Sequence, residues 1–295
     1  MNRVKKVTGL LAVVLLAATQ VSCGAQTEAA PDLVATAARL DKLAIDITGD
    51  IEEIKAAELL NYHRVEGGIA ACMQETGRAY KPVPYVSFYD VFTDADLGYG
   101  DSRATVVDSL TSHGRRIVLN ELAIARLTRA GALNRTVADA DMPALQTCAA
   151  RFQSRDYHDF DPPVGVMELA DLADLVEPVQ RDPAVVSAMA GYPTCMKQQY
   201  GFTVTDRDEF LSSPRINRDH APRPGERAGL KWRKGLNAID KAFKADTDCR
   251  RPAYETAMTL LADRIGPWRD RNRDKLFAIR AGWRKAVADA KRLSS

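Results

Sequence analysis

Along most of this chain, apolar side chains recur three and four positions apart, the spacing that gathers them on one face of an α-helix. Between Asp32 and Ile47, Leu33, Ala37, Leu40 and Ala44 share such a face, and Thr48 and Gly49 interrupt it. Asp50 then stands three positions before Glu53, an arrangement suited to capping the start of a second helix. The spacing predicts that this helix runs from Ile51 through Thr76 and stops at Gly77, because glycine accepts the positive φ of a C-terminal cap. Gly67-Gly68 weakens its interior and marks a place for a kink. Cys72 and Met73 fall in its last turns.

The same construction returns in the second half of the chain. Asp182 and Pro183 make a favourable N-cap and first-turn pair, and Val185, Val186 and Met189 supply the apolar stripe. Gly191-Tyr192-Pro193 kinks or restarts the helix before Cys195 and Met196, and Gly201 ends it. The two Cys-Met pairs therefore mark two helix C-termini, each with a thiol near its end. Cys148 lies on a further helix around "PALQTCAARF". Toward the C-terminus, Leu236, Ile239, Ala242 and Phe243 fall on one side of a helix. From Trp268 onward, Leu276, Ile279, Trp283, Ala286 and Ala290 repeat at the same spacing.

Three stretches break the pattern. Residues 80–101, rich in Pro, Tyr and Gly, read as an extended loop, and "SSPRINRDHAPRPGERAG" as a charged, mobile one. Residues 154–165, "SRDYHDFDPPVG", are polar and then doubly proline, and read as a linker. The expected fold class is all-α, mainly helical with long irregular loops. It comprises two loosely similar halves, residues 32–153 and 166–295.

The N-terminus changes the setting. Arg3, Lys5 and Lys6 precede an uncharged, mostly apolar run that ends in small residues, the layout of a secretory signal peptide over residues 1–22. The run is shorter than the roughly 20 apolar residues a membrane-spanning helix needs. "QVSCG" resembles a bacterial lipobox, with Gln20 where that motif prefers Leu. On that reading Cys23 is the lipid attachment point and residues 23–31 form a tether; ordinary secretion with cleavage nearby is the alternative. Without residues 1–22 the chain holds 38 Lys and Arg against 39 Asp and Glu, a formal charge of −1. A general polyanion binder carries a strong positive excess, so nucleic acid is not an expected partner.

If lipid takes Cys23, four cysteines remain: Cys72, Cys148, Cys195 and Cys249. An even number in an exported chain points to disulfides. Four cysteines allow three connectivities, which the sequence does not distinguish. Cys72–Cys148 with Cys195–Cys249 is preferred here because it makes each half self-contained. A thiolate metal site would want CxxC or nearby Cys/His pairing, and neither occurs.

Charge is distributed unevenly. Residues 250–295 hold 12 basic and 5 acidic side chains, and residues 31–60 hold 3 basic and 7 acidic. The preferred reading is that the two terminal helical regions attract each other. A basic amphipathic helix for anionic lipid or wall polymer is the alternative.

Candidate chemistry is sparse. The four histidines, His63, His113, His158 and His220, have no metal-binding helical spacing, and HExxH, GxSxG and phosphate-loop patterns are lacking. Asp94, Asp96 and Asp101 surround two glycines, but the spacing departs from a calcium loop, with Gly98 at the fifth position and Thr105 at the twelfth. Asp156, His158, Asp159 and Asp161 gather in the linker, where a solvated turn accounts for them as well as a metal does. Glu53, Glu58 and Glu66 lie on one long helix, and a wall glycosidase would use such a glutamate as general acid, but nothing singles one out. The expectation is therefore no catalytic set, no metal and no cofactor.

With these motifs placed, the chain resembles a group of uncharacterised actinobacterial secreted proteins and lipoproteins, marked by paired motifs of Cys-Met, three residues, Gly and an aromatic. "CMQETGRAY" matches at Cys72, Met73 and Gly77; "RDPAVVSAMAGYPTCMKQQYGF" follows through Asp182, Pro183, Cys195 and Met196. Tyr192 stands where the group has Trp, and one extra residue precedes Gly201. "KADTDC" resembles the group's Ala-Asp-x-x-Cys element at Ala245, Asp246 and Cys249, and "LGYG" its Gly-Tyr-Gly segment. The resemblance implies an envelope-associated, disulfide-bonded helical protein and no particular activity. The expected function is a non-enzymatic, lipid-anchored binding protein of the cell envelope, its partner an envelope protein or wall component. The alternative is a hydrolase of wall glycan or peptide with an unrecognised carboxylate site.

Overall fold

Asp32 opens the first helix by accepting the N–H groups of Val34 and Ala35 on its carboxylate, both at 3.0 Å. A computed structural model describes residues 32–87, 112–153, 172–223 and 225–293, and among these there is no strand. Cys23, the tether, the Asp94–Asp101 cluster, His113's side chain and the 154–165 linker with His158 lie outside the described residues.

Helix α1 (Leu33–Thr48) stops at Gly49, whose φ of +87° turns the chain into the Asp50 cap. Asp50 accepts the Glu53 N–H, and Glu53 accepts the Asp50 N–H, so the expected reciprocal cap starts α2 (Ile51–Tyr62). The helix expected to run to Thr76 with a weak point at Gly67-Gly68 passes through a π-turn at His63–Gly67 before α3 (Gly68–Glu75). Gly67 and Gly68 keep helical φ, so conformational freedom is not what Gly68 contributes. A Cβ there would lie 2.5 Å from the Phe152 ring, and the missing side chain lets α5 (Met142–Gln153) approach. Between them in sequence lies α4 (Ser112–Ala130).

The second half begins with α6 (Ala173–Gln180) and α7 (Pro183–Met189), the latter capped by Asp182 through the Ala184 N–H. The expected break at Gly191 separates α7 from α8 (Tyr192–Tyr200), and Gly201 ends α8 in the left-handed region. Then come α9 (Arg207–Ser212), the long α10 (Leu230–Ala262), α11 (Ile265–Arg271) and α12 (Arg273–Leu293).

The twin Cys-Met motifs close their helices by the same bond. The Met73 carbonyl accepts the N–H of Arg78, the residue after Gly77, at 2.9 Å. The Met196 carbonyl accepts the N–H of Phe202, the residue after Gly201, at 3.0 Å. The extra residue of the second motif widens the turn without changing which carbonyl is capped. Both methionines are fully buried, and both neighbouring cysteines are cross-linked, Cys72 to Cys148 and Cys195 to Cys249.

Helix α10 organises most of the core. Its 33 residues span about 50 Å. Its first two-thirds pack Trp232, Leu236, Ile239 and Phe243 against α4, α8 and α9. Its last third packs Met258 and Leu261 with Leu40, Leu43 and Ile47 of α1, Val179 of α6, and Trp268 and Trp283. A smaller cluster joins α3 to α5 through Ile69, Met73, Leu145 and the Cys72–Cys148 bridge. Each disulfide thus closes within one half, while α1 and α2 of the first half pack on α10 and α12 of the second.

One loop departs from its expected mobility. In the charged stretch after α9, Ile216 and Ala221 are buried in the main core, and Ile216 packs over Gly235. Arg129 donates to the carbonyls of Ala221 and Pro222 at 2.8 and 3.3 Å. Two apolar anchors among many charges suffice to seat the loop, because the charges stay on its outer side.

Candidate functional site

Asp246 is 1% exposed and sits on the inner face of α10, among residues that are otherwise apolar. A carboxylate there is tolerable only with compensating donors and charge. Arg207, the first residue of α9, supplies a two-pronged contact: its Nε donates to Oδ1 at 2.9 Å and its Nη2 to Oδ2 at 3.2 Å. Tyr192, the first residue of α8, donates its hydroxyl to Oδ1 at 2.9 Å. Arg250, one helical turn beyond Asp246, brings its guanidinium to within 3.6 Å of Oδ2. Burial, and then the Asp246 carboxylate, push the Tyr192 phenol well above its ordinary range. Burial, and then repulsion from Arg207, push the Arg250 guanidinium down.

The joint opens onto a groove of about 660 Å³ lined by Arg207 and Arg250. Its other walls are chiefly apolar: Leu40 from α1, Val179 from α6, Val185 and Met189 from α7, and Ala257 and Leu261 from α10. Val186 of α7 also lines it while remaining 56% exposed, an apolar side chain facing water. The arrangement can hold an apolar group along its length. It falls within the roughly 300–1,000 Å³ of ordinary small-molecule sites.

The residues singled out from sequence are dispersed by comparison. The four cysteines form the two bridges, with Cα–Cα separations of 5.7 and 5.6 Å. The Cys195–Cys249 bridge ties the helix carrying Tyr192 to the helix carrying Asp246 and Arg250, so it braces the joint directly. Of the three candidate glutamates, Glu53 is half of the α2 cap and is gripped by Arg280. Glu58 accepts the Ser87 hydroxyl. Glu66 accepts from the Tyr80 hydroxyl at 2.6 Å, the Val83 N–H at 3.2 Å and Arg135 Nε at 2.7 Å. All three tie helix α2 or the π-turn to other segments. Among the described residues, no group of three or more His, Cys, Asp or Glu is placed to hold a metal, and no helix is long and apolar enough to cross a membrane.

Arg207 and Arg250 were not foreseen. Asp246 and Cys249 stood in a recognised sequence element, but its role was not legible. A signal existed: Asp246 continues the apolar register of Leu236, Ile239 and Phe243 and carries a charge where that register requires an apolar side chain. Arg250, four positions on, is its natural helical partner. No family model, curated protein or solved structure matches this chain.

Proposed function

We propose that this protein is exported, is held at the outer face of the cytoplasmic membrane by a lipid on Cys23, and works there as a non-enzymatic binding protein of the cell envelope. The observation that carries the binding reading is the groove, whose apolar walls run up to the Arg207–Asp246–Arg250 joint. Two disulfides agree with an oxidising compartment, where such bonds persist. The basic, apolar N-terminal run ahead of Cys23 supports the route and the anchor, and the paired Cys-Met motifs support kinship with envelope proteins. The bracing contacts of Glu53, Glu58 and Glu66 favour a scaffold over a hydrolytic cleft on this helix.

The test combines fractionation with retention. In cells, the native chain should partition with membranes and Cys23→Ala should appear in the medium. Purified chain incubated with envelope extract should retain a component that native mass spectrometry recovers unaltered. Release of soluble fragments from wall material, abolished by changing one glutamate, would replace binding with hydrolysis.

A further inference from the structure

We propose that the outer ridge of α12 docks on an anionic lipid bilayer, its cations against the headgroups and Phe277 entering the interface between them. The inference draws on neither the groove nor the Cys23 anchor.

The attraction between the two ends of the chain leaves most of the C-terminal cations unused. Residues 264–293, which include α11 and α12, hold ten Lys and Arg against three Asp. Glu53 takes Arg280, Asp270 takes Arg273 at 3.1 Å, and Asp289 takes both Lys285 and Arg292. Arg264, Arg269, Arg271, Lys275, Arg284 and Lys291 are exposed and make no ion pair among the described residues. The Arg273–Asp270 pair is itself exposed on both sides, where such a contact holds weakly.

Their placement gives α12 a usable surface. The helix buries Leu276, Ile279 and Trp283 against the core it shares with α1 and α2. On its solvent side, Phe277, Arg284 and Lys291 return to within about 40° of Arg273 and form a ridge about 27 Å long. Ala281 and Ala288, both exposed, fill the positions beside the ridge, so the long side chains stand clear of it. Asp274 and Asp289 fall farther round the helix, roughly 100° and 160° from Arg273. Arg280 stands at the inner edge of the ridge with its charge already given to Glu53. Because the remaining cations are spread along the ridge, the helix lies flat on a charged surface.

Charge selects an anionic partner, and Phe277 selects a bilayer among anionic partners. Its side chain is 71% exposed, between Arg273 and Arg284 on the ridge. A phenyl ring held in water among cations gains where an apolar phase begins just beneath negative headgroups, as it does for helices that lie in a membrane surface. A soluble anionic polymer offers similar charges but nothing for the ring to enter.

The experiment is co-sedimentation of the chain from Pro31 onward, a compact unit by itself, so that neither the N-terminal apolar run nor an acyl group takes part. Vesicles of phosphatidylcholine alone, and of equal parts phosphatidylcholine and phosphatidylglycerol, are the probes, with lipid-free poly(glycerol phosphate) as the competing polymer. Anionic vesicles should bind at least about tenfold more tightly than neutral ones, and the difference should shrink as salt rises. Arg284→Gln and Lys291→Gln should each weaken the anionic binding by roughly fivefold. Phe277→Ser should weaken it by about threefold or more and leave its salt dependence as it was. All three positions are exposed, so the melting curves of these variants should match that of the native chain. Phe277→Trp reports the geometry directly, because the three native tryptophans are buried. Its emission should shift to the blue on anionic vesicles and stay unmoved by the polymer. Equal binding to the two kinds of vesicle, no binding to either, or anionic binding that Arg284→Gln, Lys291→Gln and Phe277→Ser all leave intact overturns the assignment. Polymer binding as tight as vesicle binding, with Phe277→Ser affecting neither, makes a wall polymer the partner and overturns it as well.

Discussion

Arg280 on α12 holds Glu53 on α2 with both arms of its guanidinium, Nη1 to Oε2 at 2.8 Å and Nη2 to Oε1 at 2.5 Å, across 227 residues of sequence. Glu53 is 6% exposed and at the same time accepts the Asp50 N–H at 2.9 Å, so one carboxylate caps a helix and joins the two ends of the chain. The hydrogen bonds it donates to Glu53 raise the Arg280 guanidinium above its ordinary range, against the opposing effect of burial. The acidic bias of residues 31–60 and the basic bias of residues 250–295 meet physically in this pair.

Arg280→Met should therefore destabilise the protein by roughly 2–4 kcal/mol, because it leaves a buried carboxylate without its countercharge. Glu53→Gln should cost less, since the partly exposed Arg280 can turn toward water. Urea unfolding with the disulfides intact measures both; an Arg280→Met variant as stable as the native chain would show that the pair braces nothing.

Two glycines separate backbone strain from crowding. Gly49 and Gly77 both have positive φ, +87° and +71°, but a Cβ at Gly49 would lie 2.7 Å from the Trp283 ring while one at Gly77 meets nothing within 4 Å. Gly77→Ala should cost about 1–2 kcal/mol from conformation alone. Gly49→Ala should add overpacking against a tryptophan that is itself fixed by donating to the Ile47 carbonyl at 3.0 Å, for a total of about 2–4 kcal/mol. Thermal unfolding of the two variants side by side reads the difference.

The disulfides close loops of 76 and 54 residues, and replacing either pair with serine should cost about 4 kcal/mol on chain-entropy grounds. Of the two, loss of Cys195–Cys249 should loosen the Tyr192–Asp246 contact, since it is the bridge that joins α8 to α10. Hydrogen exchange along α8, faster in this double variant and unchanged when Cys72 and Cys148 are replaced, distinguishes the two.

Alkaline pH should weaken the fold through two hydrogen-bonded phenols, the buried Tyr192 and the partly buried Tyr80. Burial, then Glu66, raises Tyr80 with Arg135 opposing; burial, then Asp246, raises Tyr192 with Arg207 and Arg250 opposing. The folded state thus holds these protons more tightly than the unfolded chain, where tyrosine titrates near 10. Their contribution is present in full below about pH 10 and is lost as pH rises beyond it. Unfolding free energy should fall above that point, and Tyr80→Phe with Tyr192→Phe should flatten the decline.

Local signals carried the helix ends well. Asp50 with Glu53, Asp182 with Pro183, and the glycines at 77 and 201 each act through neighbours within a turn, so a single sequence contains the whole interaction. The sequence left three cysteine connectivities open, and the one preferred for keeping each loop within one half is the one the structure holds. Gly67-Gly68 marked the irregularity in the long helix but not its form, a π-turn over His63–Gly67, nor that Gly68 makes room for the Phe152 ring of another helix. The groove was invisible for the same reason: α1, α6, α7 and α10 supply its walls, and Arg207 reaches Asp246 across 39 residues. In the 213–229 loop, the many charges concealed two buried apolar anchors, Ile216 and Ala221.

The most direct test of an exported, anchored and stapled helical protein is non-reducing peptide mapping of material recovered from native membranes, with every thiol alkylated at lysis. Peptides linked through Cys72–Cys148 and Cys195–Cys249, together with an N-terminal peptide that begins at acylated Cys23, are the expected result. Four alkylated thiols at residues 72, 148, 195 and 249, on a chain whose N-terminus carries no acyl mass, would contradict it.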